Sequence, residues 1–299
     1  MSADPVSQTK SFRPQQARKI KRPLRPITHT WSGRCGLVIV SAVLLILILG
    51  PAIAPHAYDE LAVGRPLSPP SDGLPFGTDN LGRDVFSRFL LGGQMVLLIP
   101  LAAVALATIT GGLLGMVAAY AGGVLDKVVG RVFDILLTLP PLLIALSVIA
   151  GFGSSATVLL TTVAVIFMPQ IGRVARGATL AVVTADYVEA ARARGERPIS
   201  IVVREIAPNI VGPLVSDLAL RVTYGVLFVA ALNFLGLGAK PPSPDWALSI
   251  ASSLGYVQVQ PWAALAPVVG IAALSVGLNL IADSIISNVN KDTAKDSML

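Results

Sequence analysis

The stretch Asp186-Tyr-Val-Glu-Ala-Ala-Arg-Ala-Arg-Gly195 is a charged, alanine-rich island between runs that carry almost no charge. Glu189 through Arg194 is a strong helix former. Asp186 with Glu189 three residues on has the spacing of a capping box, and Gly195 supplies the stop. Pro198 suits the first turn of a second helix through Arg204, and Pro208 limits that helix to about residue 205 or 206. The expectation is a short helical hairpin on the water side of a membrane. Its small residues Ala190, Ala191 and Ala193 allow close approach by another surface, and Glu189, Arg192 and Arg194 can set the register by charge. Two readings stand: a docking element for a protein partner, or an amphipathic helix pair lying on lipid headgroups.

The surroundings make the island unusual. Of the 299 residues 54% are hydrophobic and 13% are charged, with a mean hydropathy of +0.72. An ordinary soluble domain carries about twice that share of charge, so the chain reads as an integral membrane protein. The lone Cys35 leaves no intramolecular disulfide and no cysteine cluster, and His29 and His56 are too few and too far apart for a histidine site. No metal site and no catalytic residue is expected.

A membrane span needs about 20 apolar residues, rising ~1.5 Å each, to cross a hydrocarbon core of about 30 Å. Six such helices fit the uncharged runs. They fall between Arg34 and His56, over roughly 95–120 within Phe89–Leu125, twice within Ile135–Gly172 if that run breaks at Gly151-Phe-Gly-Ser-Ser155, over Val222–Ala239, and over Ala263–Ala282. Ala52-Ile53-Ala54 imitates a signal-peptidase site, but the apolar run before it is longer than a signal peptide's and follows a 34-residue tail, so it is read as the first span.

Lysine and arginine orient these spans. The tail of residues 1–34 holds eight basic residues against the single acid Asp4, which assigns it to the cytoplasm. Six crossings then put residues 56–92 outside with three basic residues and 239–262 outside with one, while the 173–213 loop, with six, and the 289–299 tail lie inside. The net charge of +6 is in part this topology and is not read as a nucleic-acid footprint.

On the outer side Pro66, Pro69, Pro70 and Pro75 stiffen an irregular loop, and Asp79-Asn80 reads as the start of a short amphipathic helix through Phe86. Asp79, Arg83 and Asp84 either meet an external partner or brace that helix. At membrane depth, Asp217 and Arg221 are four apart and are expected to pair, as are Arg131 and Asp134. Asn233 and Asn279 are candidates for lining a cavity or for bonding between helices, and Asp283 for an interfacial anchor. No chain of acids crosses the bilayer, which counts against an ion-driven secondary carrier.

Four blocks carry a family resemblance. Glu189-Ala-Ala191, Gly195 and Pro208 fall in register on the inner-loop signature of the membrane subunits of binding-protein-dependent ABC importers: E-A-A, three residues, G, nine residues, I-x-L-P. Glu205 and Ala207 depart from its Ile and Leu. Gly77-Thr-Asp-Asn-Leu-Gly-Arg-Asp-Val-Phe-Ser-Arg88, Asp126 through Pro141, and Asn233-Phe-Leu-Gly-Leu-Gly238 with Pro241-Pro-Ser-Pro-Asp-Trp246 are similar to stretches of the dipeptide, oligopeptide and nickel importer permeases, of the second-subunit type.

The resemblance implies a type I importer transmembrane domain over residues 35–288 in a bacterial inner membrane, all-α, with both termini cytoplasmic. It implies a second homologous permease completing the pathway as a heterodimer, two cytoplasmic ATPase subunits or domains that hold ATP and Mg, and an external substrate-binding protein. Asp186, Glu189, Ala190, Ala191, Arg192, Arg194, Gly195 and Pro208 become the implied ATPase-coupling residues, and Asp79, Arg83 and Asp84 the implied contacts to the binding protein. The sequence has no G-x-x-x-x-G-K-[ST] phosphate loop, so no ATP hydrolysis and no bound cofactor are expected of this chain. Peptides are the expected cargo. Nickel is disfavoured by the lack of His, Cys or Met clusters along the spans, and another small solute is the alternative.

Overall fold

The computed structural model describes Thr28 and Thr30–Asp296, with side chains as far as Val289. Most of the basic tail expected in the cytoplasm, His29, and residues 297–299 of the C-terminal tail lie outside the described residues.

Helix α1 (Trp31–Ile53) begins where the Thr30 hydroxyl accepts from the Gly33 N–H at 3.1 Å. Helix α2 (Val85–Ala121) begins ten residues before the expected span, with Asp84 as its N-cap accepting from the Phe86 and Ser87 N–H groups. The short helix expected over Asp79–Phe86 is not formed; residues 80–82 are turn and bend, closed by an isolated bridge between Thr78 and Asp84. The charge of Arg88 closes the uncharged run that begins at Phe89. That charge is buried and bonded within the protein, so it does not end the helix.

Helices α3 (Gly123–Thr138) and α4 (Pro141–Phe152) correct the expected third span. They form a pair bent by 88°, because Pro140 and Pro141 lack the N–H groups that would continue the ladder and hold the residues before them extended. The break expected at 151–155 is present, and Ser155 caps the next helix, α5 (Ala156–Leu180).

Two short helices, α6 (Asp186–Ala193) and α7 (Pro198–Ile201), form the expected hairpin. Helix α8 (Val211–Phe234) starts eleven residues before the expected span and so contains Asp217 and Arg221. The short α9 (Trp246–Ser253) precedes α10 (Trp262–Asp296), whose helix passes the expected end at Ala282 and takes in most of the segment read as a tail. Among the described residues five helices are long and apolar enough to cross a membrane, and the bent α3–α4 pair, counted as one span, makes six.

In lipid the apolar side chains gain little from leaving solvent, so close packing and small residues must hold the bundle. The most extensive contact is between α2 and α5. Gly111 and Gly115, four apart on α2, sit directly over the carbonyls of Met168 and Gly172, where a Cβ on either would collide with α5 backbone. Around this seam Val104, Ala107, Val163, Ile171, Val229 and Leu232 form the main core. The loops 54–84 and 235–261 share one end of the bundle, and the α6–α7 hairpin lies at the other, under the C-terminal turns of α2 and α5.

Candidate functional site

The hairpin has two unlike faces. Val188, Ala191, Ile201, Val202 and Ile206 are fully buried against Met116 of α2 and Ala175 of α5. Asp186, Glu189, Ala190, Arg192, Ala193 and Arg194 point outward. Of the alanines expected to admit another surface, Ala191 is therefore corrected: it is part of the chain's own core, which leaves Ala190 and Ala193 free for a partner.

The turn is built as the sequence predicts. Gly195 has φ +73°, its N–H donates to Arg192 at 2.9 Å, and the Glu196 N–H reaches back to Ala191 at 3.3 Å. This is a Schellman stop, which favours glycine at the left-handed position. The start is not a capping box. Ala185 holds the N-cap position without a side-chain bond, while Asp186 and Glu189 occupy the first turn, where the helix dipole favours acids.

The second arm accommodates the departure at Glu205 from the inner-loop signature. From Val202 to Ile206 the backbone widens into a π-helical turn, followed by a 3-10 turn over Ala207–Asn209 that carries the exposed Pro208. The wider turn brings Ile201, Val202 and Ile206 inward together and swings Glu205 aside. Glu205 then lies 4.0 Å from Arg194, which also donates to Glu196 at 2.6 and 2.9 Å. Arg192 stacks over the Tyr120 ring of α2 at 4.8 Å. Both arginines thus brace the hairpin, whereas Asp186 and Glu189 make no ion pair among the described residues. Burial, with the charge of Glu205, raises the pKa of Tyr187, and its hydroxyl has no hydrogen-bond partner among the described residues.

At the opposite end charge is turned inward. Asp79 accepts from the Leu81 and Arg83 N–H groups and from Arg83 Nε at 2.7 Å, and Asp84 is spent on the α2 cap. Asp79, Arg83 and Asp84 are 6%, 6% and 1% exposed. Of the two readings open for them the structure takes bracing, and as contacts to a binding protein they are corrected by burial.

Arg88, Gln260 and Trp246, to which the sequence reading gave no such role, lock the loops together. Arg88 donates to the carbonyls of Tyr58, Pro242 and Ser243 at 2.7, 3.1 and 2.8 Å. The Gln260 amide lies within reach of those of Ser68, Phe76 and Thr78. Trp246 stacks on Phe89 with its indole N–H on the Phe89 carbonyl at 2.8 Å.

Asn233 is 1% exposed, bonds Asp245 at 2.9 Å and accepts from the Ala239 N–H. It ties the end of α8 to the following loop, which corrects the cavity-lining reading in favour of bonding between segments. Burial raises the pKa of Asp245, against the pull of the three donors that hold it. Asn279 is exposed on α10, as is Asp283.

Asp217 and Arg221 pair as expected, at 3.1 Å. Asp134 does not pair with Arg131; it meets Arg173 of α5 at 3.0 Å, and Asp126 takes Arg176 through two bonds of 2.6 and 2.7 Å. These links join α3 to α5 across 39 and 50 residues of sequence, so helical spacing alone carries no signal for them.

Comparisons with known proteins agree with this geometry. Residues 111–295 match the model of a family described as binding-protein-dependent transport system inner membrane component. Over 250 residues the chain is 34% identical to the dipeptide transport system permease protein DppC of Alkalihalophilus pseudofirmus, covering 84% of this chain and 82% of that one. Over 248 residues it is 36% identical to the probable D,D-dipeptide transport system permease protein DdpC of Escherichia coli, covering 83% of each. Among solved structures, the MetNI methionine ABC transporter in an inward-facing conformation superposes with a TM-score of 0.54 at 18% identity, over 66% of this chain and 94% of that one, which shows a shared fold. With its bundle of membrane-length apolar helices, its E-A-A hairpin and these relatives, the chain belongs to the family of binding-protein-dependent transport system inner membrane components, the permease subunits of ABC importers.

Proposed function

We propose that this chain forms half of the translocation pathway of an ATP-driven importer of short peptides, and that ATPase movement enters it through the hairpin. The observation that carries the proposal is the division of the hairpin into a seated apolar face and an open face that presents Asp186, Glu189, Ala190 and Ala193 together with the exposed apolar Ile199 and Val203. The relatives named for dipeptide transport support peptides as cargo. Two cytoplasmic ATPases close on ATP and displace the hairpin. Because Val188, Ala191, Ile201 and Ile206 are packed against α2 and α5, the displacement passes to those spans as a rigid-body shift that alternates access. In this reading the hairpin end is cytoplasmic. The loop end faces the external binding protein, and a homologous permease supplies the other half of the path.

Purification of the tagged chain from cells expressing its whole operon tests the assembly. Recovery of a second permease and two ATPase polypeptides is expected, and recovery of this chain alone would contradict it. In that complex Glu189→Lys is expected to abolish most ATP-dependent peptide uptake while leaving insertion and pairing with the sister permease intact. Undiminished uptake would remove the hairpin from the coupling path.

A further inference from the structure

Near the middle of the spans, away from both ends, three polar side chains meet. Arg221 lies close to the midpoint of α8 and Gln170 close to that of α5. The Arg221 guanidinium holds Asp217 side-on, with Nη2 3.1 Å from Oδ1 and Nε 3.4 Å from Oδ2, and Nη1 donates to Gln170 Oε1 at 2.6 Å. Three of its five N–H groups are used. One on each terminal nitrogen is left without an acceptor among the described residues.

This cluster is not sealed inside the chain. The Arg221 and Asp217 side chains are 22% and 11% exposed. Tyr224, one turn further on the same face of α8, is 56% exposed, and the Arg173 side chain, one turn from Gln170 on α5, is 58% exposed. Charges at this depth are not held against lipid; they face a bundle interior or a wet cavity. Packing gives little reason to keep such a pair, since an apolar pair of similar volume generally holds a fold at least as well.

We propose that Arg221, positioned by Asp217 and Gln170, binds the C-terminal carboxylate of the peptide in the translocation pathway. The proposal rests on the peptide-importer reading and deepens it. One N–H on each terminal nitrogen matches the two oxygens of a carboxylate, the recognition for which a guanidinium is shaped. Asp217 fixes the fork and offsets its charge, so the anion is held weakly enough to leave again.

The test uses the whole complex in proteoliposomes with saturating binding protein and labelled dialanine, and reads the number of peptides moved per ATP hydrolysed. Arg221→Gln is expected to lower that ratio about tenfold, the scale of losing a charge-assisted hydrogen bond, with Arg221→Lys, which keeps the charge but not the fork, in between. A purely structural pair would lower uptake and ATP hydrolysis together and leave the ratio unchanged, which overturns the site. Loss of the sister permease on purification of Arg221→Gln would mean that this face is covered by protein, and a wild-type ratio in Arg221→Lys would then overturn the site as well. Absence of dialanine uptake by the wild-type complex is a different failure: it removes the peptide reading itself, and the site falls with it.

Discussion

The two ends of the bundle use charge in opposite ways. At the loop end Asp79, Arg83, Asp84 and Arg88 are buried, and each is consumed by the chain's own backbone or by a neighbouring side chain. At the hairpin end Val188, Ala191, Ile201, Val202 and Ile206 are buried, while Asp186, Glu189 and Ala190 are left outside together with the apolar Ile199 and Val203. The block of sequence from Gly77 to Arg88 therefore has a structural job: it sets where α2 begins and clamps two loops together. The block from Asp186 to Gly195 spends its two arginines on bracing the hairpin and presents its two acids. Motifs of similar polarity thus divide into scaffold and contact surface, and burial is what separates them.

Breaking the loop end is expected to have the largest effect on stability. Arg88→Met removes the donors to three loop carbonyls at once, and stranding such groups costs about 1–3 kcal/mol each where they stay dry. Thermal unfolding of the purified complex should show a clear loss. If the variant melts like the wild type, the loop end is not locked as described.

At the hairpin end the contrast sharpens between adjacent residues. Ala191→Leu overfills a fully buried position and is expected to cost about 1–3 kcal/mol, read as faster amide exchange across residues 186–210. Ala190→Leu adds bulk on the exposed face and should leave exchange unchanged while weakening ATPase binding. Equal effects from the two would mean that the hairpin has no inside and outside. Gly195→Ala, forced into φ +73°, is expected to cost about 1 kcal/mol. Because the Schellman stop can strain without opening, exchange should rise only around residues 192–197.

Much of this was legible in the sequence because lipid imposes long charge-free runs, and because glycine and proline mark the hairpin's turn and arms directly. The errors have a shared physical origin. Reading spans as charge-free runs stops them at Arg88 and Arg221, but a charge that finds partners inside the protein no longer marks a boundary, so α2 and α8 begin earlier than that rule expects. Helical spacing predicts that Asp134 pairs with its neighbour Arg131. Its partner, Arg173, comes from a helix brought alongside only by the fold. Ala191 could not be told from Ala190 by composition, since their difference is a rotation of 100° about a short helix. The π-turn that rescues Glu205 likewise has no local signature.

The division of the two ends is tested most directly by placing a photo-crosslinking residue at position 190, and in a parallel sample at exposed Leu254 of the loop end, in cells expressing the whole transporter. The account predicts that an ATPase polypeptide is captured from position 190 and none from position 254. Capture of lipid alone from position 190, or of an ATPase from position 254, would contradict it.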